Sequence, residues 1–182
     1  MFIYDKKLQY PVKIARPNPR LASLIISQYG GPDGELGASL RYLSQRYSMP
    51  FDELKGLLTD IGTEELGHLE MIGAIVHQLT RNMKDDQYRD PAFAPYFVDH
   101  TAGVYPTAAS GFPWSASSMQ VKGDPIADLA EDLFFSFSDV CVAGAYDLID
   151  RGDRLSTVCK CGNSLCAADL EYAINTRYLC RR

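Results

Sequence analysis

The sequence predicts an all-α protein built as a helical bundle, in which two helices, a long crossover and one or two further helices follow one another. Three observations carry this prediction. A seam of Leu54, Leu58, Ile61, Glu65, His68, Ile72, Ile75 and Leu79 advances in alternating steps of four and three, the stripe that a helix turns toward a core. A second helical face, Leu129, Leu133, Phe137, Val140 and Ala143, follows an N-cap and proline at Asp124-Pro125. Between them, residues 83 to 123 hold no lasting helical period and read as the crossover.

The elements follow in order. Residues 1 to 18 form an extended arm that ends in "ARPNPR", where two prolines discourage helix. Arg20 to Tyr47 is helical in character, interrupted by the glycines of "YGGPDGELGA". One long helix or two that meet there both fit, with Pro32 best suited to a first helical turn. Met49-Pro50 ends that element, and Phe51 to about Asn82 is the strongest helix of the chain. The crossover is rich in Pro, Gly, Ser and aromatics, and its aromatics predict that it is packed down. A helix from Pro125 to about Asp150 follows. The C-terminal part is irregular and polar, with a short helix near Ala167 to Tyr178.

Composition sets the class. A chain of 182 residues with 46% hydrophobic and 23% charged residues has room for a sizeable core and is ordinary for a globular protein. We expect one domain over residues 1–150 and a separate cysteine-containing tail over 151–182. A formal net charge of −5 without a basic cluster argues against nucleic acid as a partner. No run reaches the length of a membrane span, and the charges of "MFIYDKKLQYPVK" do not fit a signal peptide, so a cytoplasmic protein is expected. All 5 cysteines lie beyond residue 140, and disulfides are not the default in such a protein.

The seam poses the chemical question, because a glutamate and a histidine occupy its centre. Burying a carboxylate and an imidazole costs several kcal/mol unless partners compensate. Their three-residue spacing sets Glu65 and His68 side by side, roughly 5–6 Å apart at Cβ. A metal ion suits both, since it takes carboxylate oxygen and neutral imidazole nitrogen together. Bundles that hold two iron or manganese ions use this Glu-x-x-His pair with glutamates from facing helices. Glu35, set among Gly34, Gly37 and Ala38, is the candidate facing glutamate. The bland reading of a Glu-x-x-His pair is a solvated helix face, and only the seam position argues against it here. Glu64 and Glu70 fall off the seam and read as surface charges; His77 and His100 read as hydrogen-bonded structural histidines. The aromatics from Tyr88 to Trp114 read as local packing.

At these residues a resemblance becomes specific. "YDKKLQYPVK", "QYGGPDGELGASLRYLSQRY", "LLTDIGTEELGHLEMI" and "KGDPIADLAED" together resemble the manganese catalase family, and within it the short spore-coat branch of CotJC-type proteins, over about residues 1 to 132. The resemblance implies a ferritin-like four-helix bundle and a homo-oligomer assembled through extended arms. It implies two manganese ions, hydrogen peroxide as substrate, and a place in the spore coat beside other coat proteins. Carried over by motif, Glu35 would be a terminal ligand, Glu65 would bridge the ions, and His68 would complete the first ion's set. No catalytic residue beyond the metal ligands is implied.

The carry-over stops there. The family places a further glutamate about one turn beyond the "DPIAD" motif and a histidine on a last helix. This chain reads "LFFSFSDVCVAGAYDLIDRGD" in that region, with Ser136 nearest the expected glutamate, Asp139 beyond it and Glu131 a turn too early. No histidine follows His100 in the sequence. Two of five expected ligands are missing, so a metal site with an incomplete second half is expected, and weak catalase activity or none. The rival reading is a structural coat component. The tail holds Cys159, Cys161, Cys166 and Cys180, and four thiolates could hold zinc tetrahedrally. The usual two-residue gaps are absent, which favours free thiols.

Overall fold

The protein is described by a computed structural model over residues 5–8, 11–89 and 103–133. Its helices are α1 (Pro19–Ile25), α2 (Ser27–Gly30), α3 (Glu35–Gln45), α4 (Asp52–Thr80), α5 (Asp85–Tyr88) and α6, helical over residues 125–133. No strand occurs among the described residues; Thr107 and Pro113 form an isolated bridge. The expected tail over 151–182, its four cysteines, His100, Ser136 and Asp139 lie outside the described residues.

The segment from Arg20 to Tyr47 divides into three α-helices and the start of a 3-10 turn at Arg46–Ser48. Gly31 leaves α2 in an extended conformation, and Pro32 occupies the turn ahead of α3 instead of its first helical position. α1 begins where the prolines allow, with Pro19 at its first turn and Asn18 Oδ1 accepting from the Leu21 N–H. α4 begins with Asp52 and Glu53, whose charges suit the positive end of the helix dipole. It ends at Thr80, and Asn82 (φ 65°) turns the chain away in the left-handed conformation common after helices.

Two compact units divide the chain, Met1–Ser39 with Glu64–Met119 and Leu40–Thr63 with Gln120–Arg182; α3 and α4 contribute to both. In the first, the seam residues Ile72, Ile75 and Leu79 are buried beside Ile25, Ile26, Met71 and Val76. Each such side chain contributes about 1.5–3 kcal/mol by leaving water. The arm is fastened to the end of α4. Ile14 N–H donates to Gln78 Oε1 (2.8 Å), Gln78 Nε2 donates to the Val12 carbonyl (2.9 Å), and Arg81 donates to the carbonyls of Ile14 and Ala15. Asn18 N–H adds a bond to the Leu79 carbonyl. Residues 103–119 are fastened to the helices, but not through the aromatics expected to pack there: Tyr105 and Phe112 are exposed. Ala109 N–H donates to Ser27 Oγ (2.6 Å), and Pro106 sits so close to Gly30 that a Cβ there would lie 2.3 Å from the proline's own. Gly73 of α4 likewise admits the Tyr29 ring, which a Cβ would meet at 3.0 Å.

The second unit buries Leu54, Leu58 and Ile61 of the seam with Tyr42, Met49 and Leu129. Its α6 is capped as expected: Asp124 Oδ1 accepts from the Ile126 and Ala127 N–H groups. A set of polar side chains lies inside this unit, with Arg41, Gln45, Asp128 and Asp132 all buried. Asp128 accepts from the backbone of Lys122 and Gly123, and Gln45 Nε2 donates to Asp132 Oδ1 (3.1 Å) and to the Gln120 carbonyl. Burial pushes the Asp132 carboxyl up to about 7, against the lowering effect of the Gln45 hydrogen bond and the Arg41 charge.

Candidate metal centre

Glu35, Glu65 and His68 meet within the first unit. Glu35 is the first residue of α3, where the preceding Gly31–Gly34 turn ends and the helix's unsatisfied N–H groups favour an acid. Glu65 and His68 stand one turn apart at the middle of α4, held inward by the same period that buries Ile61 and Ile72. One ligand atom from each of the three residues lies within 4.8 Å of the others. His68 Nδ1 is 2.6 Å from Glu65 Oε2 and 3.9 Å from Glu35 Oε2. The side chains of His68 and Glu65 are 8% and 7% exposed and that of Glu35 18%, so water reaches the cluster mainly along Glu35.

The donor set fits a divalent cation. Two carboxylates and one imidazole present oxygen and nitrogen lone pairs to one small volume, the mixture that manganese, iron and zinc accept. The group sets two carboxylates and one imidazole side by side in a largely buried setting. Burying charged groups of this kind costs free energy that partners must offset. A bound cation converts that cost into binding.

The other candidates divide. Glu64, expected at the surface, is half-buried, and its Oε1 lies 3.8 Å from His68 Nε2. The stripe pattern missed it because it falls off the seam, yet its i,i+4 relation to His68 was legible in the sequence. Glu70 is half-buried, and His77, expected to be a hydrogen-bonded structural histidine, is exposed on α4. Glu131 is part of the second unit and faces Lys122 at 3.8 Å.

Comparison with known proteins places these features. The profile of the manganese containing catalases matches residues 1–142. Protein CotJC of Bacillus subtilis is 53% identical over 133 residues, which span 73% of this chain and 70% of that protein. The probable manganese catalase of Clostridium acetobutylicum is 36% identical over 137 residues, and the chain spans 60% of its length. The crystal structure of KatB, a manganese catalase from Anabaena, aligns with a TM-score of 0.80 at 27% identity, over 94% of this chain and 77% of that one. The fold is therefore the ferritin-like helical bundle of the manganese catalases.

Proposed function

Since the chain belongs to the manganese containing catalase family, we propose that it is a spore-coat protein that binds manganese through Glu35, Glu65 and His68 and acts on hydrogen peroxide. The observation that carries this reading is the convergence of those three side chains, from two helices, into one buried cluster. Bound manganese supplies the redox step, in which two peroxide molecules become one dioxygen and two waters. The protein's own part is to fix geometry and limit access. Glu65, deepest of the carboxylates, is suited to hold charge away from water, and Glu35, more exposed, to stand beside the entering substrate. By the resemblance, both Glu65 and Glu35 would hold manganese.

By the resemblance, a second ion would need ligands beyond the described helices, and there this chain differs from the family's motif. Phe134, Phe135, Ser136 and Phe137 occupy the stretch that should contribute a carboxylate. Phenyl rings do not ligate manganese, and a hydroxyl is a poor substitute for a charged oxygen. This supports a half-built centre with weak peroxide turnover. The same departure favours the second reading, a coat component in which the bundle and its assembly surfaces matter more than turnover. A homo-oligomer with other coat proteins as partners belongs to both readings.

Elemental analysis combined with oxygen evolution from peroxide separates the two. Manganese bound with slow but measurable oxygen release supports the enzyme, whereas manganese-free protein inert to peroxide supports the structural component. Two manganese per chain with rapid turnover would show that the region beyond residue 133 completes the site.

A further inference from the structure

We propose that Glu64 is a positioning residue for His68, accepting the Nε2–H of the imidazole so that Nδ1 is presented as the metal-ligating atom. The inference rests on the reading of Glu35, Glu65 and His68 as a metal centre. The ring of His68 is faced by acids on both edges. Nδ1 looks toward Glu65 at 2.6 Å and Glu35 at 3.9 Å, and Nε2 looks toward Glu64 at 3.8 Å.

A neutral imidazole has a single proton to place. The 2.6 Å contact needs a proton between Nδ1 and Glu65 Oε2. While that proton sits on Nδ1, the neutral ring has none for Nε2, and 3.8 Å suits a pair that is not hydrogen-bonded. A cation held at Nδ1 would take the lone pair there, and the ring's proton would then belong on Nε2. Nε2 then becomes a donor, and the acid that faces it is Glu64. A carboxylate on the second nitrogen of a ligating histidine fixes the tautomer, orients the ring and raises its basicity. Glu64 lies one turn before His68 on the same helix, so the pair is built into α4.

The test is manganese(II) affinity, measured by calorimetry on the full chain for the wild type, Glu64→Ala, Glu64→Gln and Glu65→Gln, with thermal unfolding of each metal-free protein. Glu64→Ala is expected to weaken binding about 10–100-fold, the usual effect of losing such a partner, and to leave metal-free unfolding unchanged. Glu64→Gln, whose amide oxygen still accepts from Nε2–H, should recover most of that loss. Equal affinity of Glu64→Ala and wild type, with a clear loss in Glu65→Gln, overturns the role of Glu64 and leaves the centre standing. Loss as large in Glu64→Gln as in Glu64→Ala shows that charge alone matters and also overturns the positioning role. A wild-type protein that binds no manganese overturns the centre itself, and this inference with it.

Discussion

Glu65 Oε2 lies 2.6 Å from His68 Nδ1, one turn along a helix whose other seam residues are aliphatic. The pair is thus a polar island on an apolar stripe, and the free energy that its burial costs has to be recovered by partners. Removing one member should be felt at once in metal content. Glu65→Gln is expected to abolish most manganese uptake, whereas Glu70→Gln, half-buried outside the cluster, should retain it. Manganese per chain after gel filtration reads the difference, and equal retention by both variants would count against the centre.

A pH dependence follows from Asp132. Its carboxyl ionises near 3.8 when unfolded and at about 7 when folded. Between these values the native state holds a proton that the unfolded state has released, so protonation stabilises the fold. That stability is fully present below about pH 4 and is lost as pH rises through about 7, a contribution on the order of 4 kcal/mol. Asp132→Asn keeps an acceptor for Gln45 and cannot ionise. Urea unfolding at pH 5 and pH 8 should show the wild type losing more stability than the variant at the higher pH. Parallel losses in the two proteins would refute this.

Two glycines offer opposite outcomes from one substitution. Gly30→Ala sets a methyl 2.3 Å from the Pro106 Cβ and 2.4 Å from its Cα, so the crossover must shift. Overpacking of this kind costs about 1–3 kcal/mol, more than the roughly 0.5–1 kcal/mol that alanine gains over glycine in a helix. Gly56→Ala, exposed within α4 with nothing within 4 Å of the new methyl, should show that gain alone. Thermal denaturation should therefore shift down for the first and up for the second.

The fastening of the arm can be tested one bond at a time. Gln78→Ala removes the acceptor for the Ile14 N–H and the donor to the Val12 carbonyl. Each such bond contributes about 1 kcal/mol. Amide exchange at Ile14 should speed up by about fivefold or more. The amide of Asn18, bonded to the Leu79 backbone, should change little. Unchanged exchange at Ile14 would show that Arg81 and the Asn18–Leu79 bond secure the segment without Gln78.

What the sequence disclosed and what it hid have physical reasons. The seam of α4 was legible because a period near 3.6 has no reading other than a buried helix face, and Glu65 and His68 stood out by breaking its chemistry. The division of Arg20 to Tyr47 was not decided, since glycines such as Gly31 and Gly34 tolerate both a bend and a continuous helix. The buried set of Arg41, Gln45, Asp128 and Asp132 was missed because charged residues on helices are ordinarily solvated. Only the four-residue spacings, Arg41 to Gln45 and Asp128 to Asp132, hinted that each pair shares a face. His77 was assigned a structural hydrogen bond that its exposed position does not need, since water serves there.

The attachment of the arm to α4 also bears on how the chain comes together during synthesis. Val12 to Asn18 leave the ribosome before their hydrogen-bonding partners Gln78, Leu79 and Arg81, and Ile14 and Gln78 stand 64 positions apart. Closing a loop of that length carries an entropy cost that is met only once the end of α4 exists as a helix. These residues must therefore wait, unpaired, until α4 has been made to its last turn. This segment docks only after α4 is complete, and a pause in translation before residue 78 would leave it open to other chains.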